Sequence, residues 1–207
     1  MRKPAVIVIV AGLALSACGL NQNPFVVKRS PCPAVAVLAH AGDVTLFSPA
    51  DSRDADAIDV VATITNLRAA CNDTGGHIVS TASYDVIARR TDPAGAREVT
   101  FPTFAAVIQA GTKLVAKQTG QVTVRFADGQ TRATGSGSST GSIDREAASL
   151  SAEISQKIER KRKPGDLDAA IDPLAAPDVR AAVKNASFEL LVGFQLDDTS
   201  LEYNVTK

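Results

Sequence analysis

Apolar positions recur at every second residue through most of this chain, and that period predicts a mainly β fold. The alternation starts at Ala34, where Val35 and Val37 point one way, and resumes past Gly42 from Val44 to Phe47. A solvated loop, Asp51-Ser52-Arg53-Asp54-Ala55-Asp56, follows. Residues 58–67 form the clearest strand, with Ile58, Val60, Ala62 and Ile64 set against Asp59, Val61, Thr63 and Thr65. The turn cluster Asn72-Asp73-Thr74-Gly75-Gly76 separates it from a second long strand at 78–90. Asp92-Pro93-Ala94-Gly95 leads into strands at 99–108 and 114–126, and Asp128-Gly129 is the strongest short hairpin signal in the chain.

The pattern changes after Gln130. Gly135-Ser136-Gly137-Ser138-Ser139-Thr140-Gly141 is small and polar, and reads as a flexible loop or a frayed edge strand. Ala147, Leu150, Ile154 and Ile158 then recur at helical spacing, so a helix is expected over 144–163, capped by Ser142 or Asp144. Its stripe of Leu150, Ile154 and Ile158 is expected to pack on the sheets. It ends in four consecutive cations followed by Pro164-Gly165. A shorter helix is expected over 178–185, with Pro177 in its first turn. Alternation returns from Phe188 to Leu196. After the turn Asp197-Asp198-Thr199-Ser200, Leu201, Tyr203 and Val205 predict a closing strand that completes a terminal hairpin. The sum is an antiparallel β-sandwich with a helical insertion, at about 144–186, ahead of a C-terminal hairpin. This layout resembles the immunoglobulin-like sandwiches of bacterial envelope proteins, a likeness of architecture that carries no function.

The N-terminus is of another kind. Arg2 and Lys3 precede an uncharged apolar run, Ala5 to Leu15, too short to span a bilayer, which takes about 20 apolar residues. The run closes on Leu15-Ser16-Ala17-Cys18. These four residues resemble the lipobox of Gram-negative bacterial lipoproteins, and the resemblance covers residues 1–18. It implies a signal peptide over 1–17, cleavage before Cys18, and acylation of the Cys18 thiol. It also implies a membrane partner reached through the lipid. In that family, Asp after the cysteine retains the protein at the inner membrane. Gly19 stands there, which implies the outer membrane, facing the periplasm. Residues 18–33 hold Pro24, Pro31 and Pro33 with little periodicity, and read as a tether to a single domain over 34–207.

Composition adds limits. The chain has 22 basic and 22 acidic residues, and losing Arg2 and Lys3 leaves a slight acidic excess, so no nucleic-acid-binding signature is present. Trp is absent. With Cys18 committed to lipid, Cys32 and Cys71 remain as a pair in an oxidising compartment, and a disulfide is expected. Closing a loop of roughly 40 residues stabilises by about 4 kcal/mol in the chain-entropy treatment. Cys32 precedes the first strand and Cys71 follows the strand at 58–67. Antiparallel pairing of those two strands would make the sulfurs neighbours.

Catalytic chemistry finds little to use. The two histidines, His40 and His77, lie near no G-x-S-x-G, and Ser136 and Ser138 sit in the glycine-rich segment. His40, Asp43, Asp73 and His77 lack H-x-x-x-H or H-E-x-x-H spacing, and the acidic loop Asp51, Asp54, Asp56 and Asp59 does not match an EF-hand. No catalytic residue, metal ligand or cofactor is assigned. The basic run Arg160, Lys161, Arg162 and Lys163, extended by Lys157, is the candidate anion-binding surface, facing lipopolysaccharide phosphates or anionic headgroups. The expectation is a non-catalytic, lipid-anchored envelope protein that binds or scaffolds another envelope protein or an anionic envelope polymer. The alternative is a periplasmic small-ligand or lipid carrier, with the 144–163 helix over an apolar mouth.

Overall fold

A computed structural model describes residues 30–207. The expected signal peptide, Cys18 and most of the expected tether therefore lie outside the described residues. Eight strands make two four-stranded sheets. Strands β1 (Ala34–Val37), β8 (Phe188–Phe194), β5 (Arg97–Gln109) and β6 (Lys113–Phe126) form one sheet in that order. Strands β2 (Asp43–Phe47), β3 (Ile58–Thr74), β4 (His77–Arg90) and β7 (Arg132–Asp144) form the other. The helices are α1 (Ala152–Glu159), α2 (Pro177–Asn185) and α3 (Asp198–Thr206). The expected architecture is the one observed: a mainly β sandwich with helices inserted ahead of its last strand.

The core follows from the alternation. Val60, Ala62, Val86 and Ala88 face Phe101, Val124, Leu190 and Val192 across the sheets, each at most 1% exposed. Burying these groups removes apolar area from water at roughly 25 cal/mol per Å². Arg90 is buried at one end, where its guanidinium donates to the carbonyls of Gln130, Pro93 and Ala127 at 2.7, 2.7 and 2.9 Å and stacks on Phe126. That satisfies the buried cation and ties the β4–β5 and β6–β7 turns together. At the same end, Arg97 of β5 donates twice to Asp59 of β3, at 2.7 and 2.6 Å. Those bonds hold the Asp59 carboxyl below its ordinary value.

The topology gives the sandwich two unlike ends. β1 runs parallel to β8, with Ala34 beside Glu189, so the chain enters at the end where the helical insertion returns to the sheet. The β3–β4 tip (Thr74 opposite His77) and the β5–β6 tip (Gln109 opposite Lys113) lie at this entry end. The loops after β2, β4 and β6 lie at the other, far end.

The disulfide joins Cys32 to Cys71 with Cα atoms 6.1 Å apart. The expected pairing is not its cause. β1 pairs with β8 in one sheet and β3 lies in the other, so the bridge crosses between sheets. A β-bulge makes this possible. Thr65 pairs with Asp85 and Arg68 with Ser83, so β3 carries one extra residue. Before the bulge the even positions Val60, Ala62 and Ile64 face the core; after it, Ala69 and Cys71 lie opposite the core-facing Ala82 and Ser80. Without the extra residue Cys71 would face outward. Asn66 holds the bulge at φ 54°, and its side-chain amide donates to Asp85 at 2.6 Å.

Four expectations need correction. The segment 135–141 is the expected edge strand and no loop, but it is not frayed: β7 lies at the edge of its sheet and pairs with β4 over its whole length. Its glycines are there for close approach. A Cβ on Gly137 would sit 2.6 Å from Tyr84 and 2.7 Å from Val122, and one on Gly141 would sit 2.7 Å from Val107. Asp128-Gly129 turns the chain from one sheet to the other, since β6 pairs with β5 and β7 with β4, so it joins no paired hairpin. The helix expected over 144–163 is α1 alone, because Ser142, Ile143 and Asp144 stay paired with Val79, Ile78 and His77; Ser151 is the cap, accepting from the Ile154 amide at 3.3 Å. The expected closing strand is α3. Asp197 caps it, accepting from the Ser200 amide at 2.7 Å, and Asn204 donates to the carbonyls of His40 and Asp43 at 2.9 and 2.7 Å. Tyr203 meets the Phe47 ring edge-on at 5.2 Å, so α3 lies along β2 in place of a hairpin arm.

The bulge can be tested directly. Asn66→Val puts a β-branched residue at positive φ and removes the bond to Asp85, so it should destabilise by about 2 kcal/mol or more. Asn66→Gly should lose less, since glycine accepts that conformation. Urea denaturation of the oxidised protein measures both.

Candidate functional site

The basic run sits in the insertion, at the entry end. α1 is short, and no residue of it is fully buried. Ile154 and Ile158 are half-buried and neither belongs to the sandwich core. α1 neighbours α2 and the 3-10 turn Pro173–Ala175 instead, so the expected packing of the stripe on the sheets is not what forms. Ion pairs hold the insertion together. Lys157 lies 2.9 Å from Asp178 of α2 and 3.0 Å from Glu153 one turn back. The bond to Asp178 is the larger cause that raises the Lys157 pKa above its ordinary value, and the same bond lowers that of Asp178.

The chain leaves helical geometry at Arg160, so the four cations do not share one helix end. Arg160 pairs closely with Asp168, and Arg162 approaches the same carboxylate at 3.4 Å. The Lys163 amide donates to Asp166 at 2.9 Å. The two arginines thus lean back onto an internal acid, while the side chains of Lys161 and Lys163 are exposed. A small cleft of about 320 Å³ lies among Lys157, Arg160, Arg162, Ile171, Pro173 and Val179.

Sequence reasoning missed the apolar residues beside the run. Leu167 is fully exposed, Ile171 is 58% exposed and Leu174 is 49% exposed. They recur at i, i+4 and i+7, the spacing of one helix face and a signal that could have found them, yet the segment between Pro164-Gly165 and Pro173 forms turns and no helix. The same end carries Leu114 at 55% and Val115 at 46%, on the first half of β6, between Lys113 and Lys117. This arm is tied to the insertion: Gln109 donates to the Asn185 carbonyl at 2.9 Å, and the Ala110 amide to that of Ser187 at 3.0 Å. Arg145, at the start of the insertion, donates to the Gly75 carbonyl at 2.7 Å and pairs with Asp73 on the β3–β4 tip.

The other candidates are dispersed. Ser136 donates to Asp85 at 3.0 Å on the outer face of its sheet. His77 faces Asp144 at 3.0 Å at the entry end, and His40 lies on the turn after β1 at φ 61°. Asp43 pairs with Lys207, and Asp73 with Arg145. Among the described residues no three His, Cys, Asp or Glu side chains converge as a metal site, and no helix is long and apolar enough to cross a membrane.

No protein-family model, curated protein or solved structure matches this chain.

Asp168 is the acid that restrains the run. Asp168→Asn should free Arg160 and Arg162 and speed tryptic cleavage within 160–163 several-fold, while the melt of the sandwich stays within about 1 kcal/mol of the parent. Timed proteolysis with peptide mass analysis reads this outcome.

Proposed function

We propose that the chain is a lipid-anchored, non-catalytic protein of the cell envelope, held through Cys18 and binding or scaffolding another envelope component. The observation that carries this reading is Leu15-Ser16-Ala17-Cys18 behind an uncharged apolar run and two cations. A disulfide between Cys32 and Cys71 supports an oxidising compartment. Gly19 in place of Asp supports the outer membrane, on its periplasmic face. Two or more acyl chains on one residue make attachment stable, where one chain would be marginal. The sandwich is then a rigid body on a short leash. The component it binds is an envelope protein or an anionic polymer that meets the exposed run of the insertion.

A carrier of small apolar ligands is the second reading. It is favoured by a cleft of about 230 Å³ lined by Val44, Leu46, Phe101, Phe194 and Leu196. α3 borders this mouth through Asp197 and Ser200, rather than α1. Its volume falls below the ~300–1,000 Å³ of most ligand sites, so the anchored binder remains the leading reading. Lipid co-purifying with the protein would favour the carrier.

Replacing Cys18 by Ser tests the leading reading. The variant should leave the membrane fraction after a high-salt wash, while the parent stays. A variant that sediments wholly with membranes contradicts the anchor.

A further inference from the structure

We propose that the entry end of the sandwich lies on an anionic lipid surface, with Leu167, Ile171 and Leu174 entering the headgroup region and Lys161 and Lys163 facing its phosphates. This deepens the proposed function and rests on its anchor at Cys18.

Three observations carry it. The first is length. Twelve residue steps separate Cys18 from Ser30, at most about 40 Å of fully extended chain. The parallel register of β1 and β8 brings Cys32 level with Ser187, at the end of the insertion. The bridge to Cys71 fixes that exit point against the β3–β4 tip. An acylated Cys18 therefore keeps the insertion, and not the far end, close to the bilayer.

The second is the chemistry of the surface. Leu167 is fully exposed and Ile171 and Leu174 are about half-exposed, within eight residues of one another. Leucine and isoleucine this exposed gain by leaving water. Asp166, Asp168 and Asp172 flank them, Asp168 is matched by Arg160 and Arg162, and Lys161 and Lys163 lie on the neighbouring stretch, which gives the mixed apolar and charged character of an interface-bound segment. Leu114 and Val115 repeat the arrangement between Lys113 and Lys117 on the neighbouring arm.

The third is the distribution of charge. Asp51, Asp54, Asp56, Asp92 and Asp128 lie in loops of the far end, with Asp198 starting α3 beside them. The insertion over 144–186 carries eight acidic and eight basic residues, so an anionic bilayer repels the far loops more than the entry end, and the field reinforces the orientation that the tether imposes.

The test uses the chain from Gly19 onward, without lipid, and sedimentation with vesicles. One set is phosphatidylcholine alone; the other includes roughly one-third phosphatidylglycerol. The protein should bind the anionic vesicles at least about tenfold more tightly, and molar salt should weaken the binding. Leu167→Asp with Ile171→Asp should reduce it by about tenfold or more with no change in the thermal melt, because these side chains are exposed. Lys161→Gln with Lys163→Gln should reduce the preference for anionic vesicles. Equal affinity for both vesicles, or a Leu167→Asp, Ile171→Asp variant that binds like the parent, overturns the proposal. So does a chain that binds neither vesicle but is captured in cells by an envelope protein through a photocrosslinker at position 167. Because the test protein carries no lipid, an acylated Cys18 with no vesicle binding sinks only the docking. An unmodified Cys18 with vesicle binding sinks only the anchor.

Discussion

One extra residue in β3 lets the two sheets be joined covalently. Cys71 belongs to the strand that would carry it outward, and the bulge at Asn66 turns the later half of β3 over so that its sulfur meets Cys32. Glycine is the usual residue at positive φ, and asparagine is tolerated there because its amide finds a local partner, here Asp85. The crosslink removes conformations from the unfolded chain and fixes where the segment before β1 departs. That departure point lies beside the returning insertion because β1 is parallel to β8.

The two ends of the sandwich are built differently as a result. The far end is closed by a buried arginine on carbonyls and by the Asp59–Arg97 pair, and its loops are acidic. The entry end gathers the insertion, two hairpin tips, a basic run and exposed leucines. The proposed role follows that division: a stiff body whose basic run and exposed leucines lie on the side to which an anchor would hold it.

The layers were legible in the sequence because burial on one face of a strand imposes period two, and the strands at 58–67 and 78–90 and the second half of the strand at 114–126 obey it. The bridge was legible from chemistry alone, although its geometry was not. A bulge has no clear mark in composition, and Asn66 reads as one polar residue among several. β7 was hidden for a related reason. Its middle inward positions include Gly135 and Gly137, where Tyr84 and Val122 approach closely, and only Ala133 and Ile143 near its ends bring apolar side chains to the core, too far apart to show an alternation. At the C-terminus alternation was present and misleading. Leu201 and Val205 are four apart and share the exposed face of α3, while Asn204, polar, is the residue that is buried. The apolar residues of the insertion carry helical spacing within a segment of turns, and their exposure could be found only in three dimensions.

The account turns on Cys18, and mass analysis of the N-terminal peptide from protein purified out of membranes tests it most directly. The predicted result is a mature chain that begins at Cys18 and carries a thioether-linked diacylglyceryl group with a further acyl chain on its amine. A chain that begins elsewhere, or a Cys18 of unmodified mass, contradicts the account.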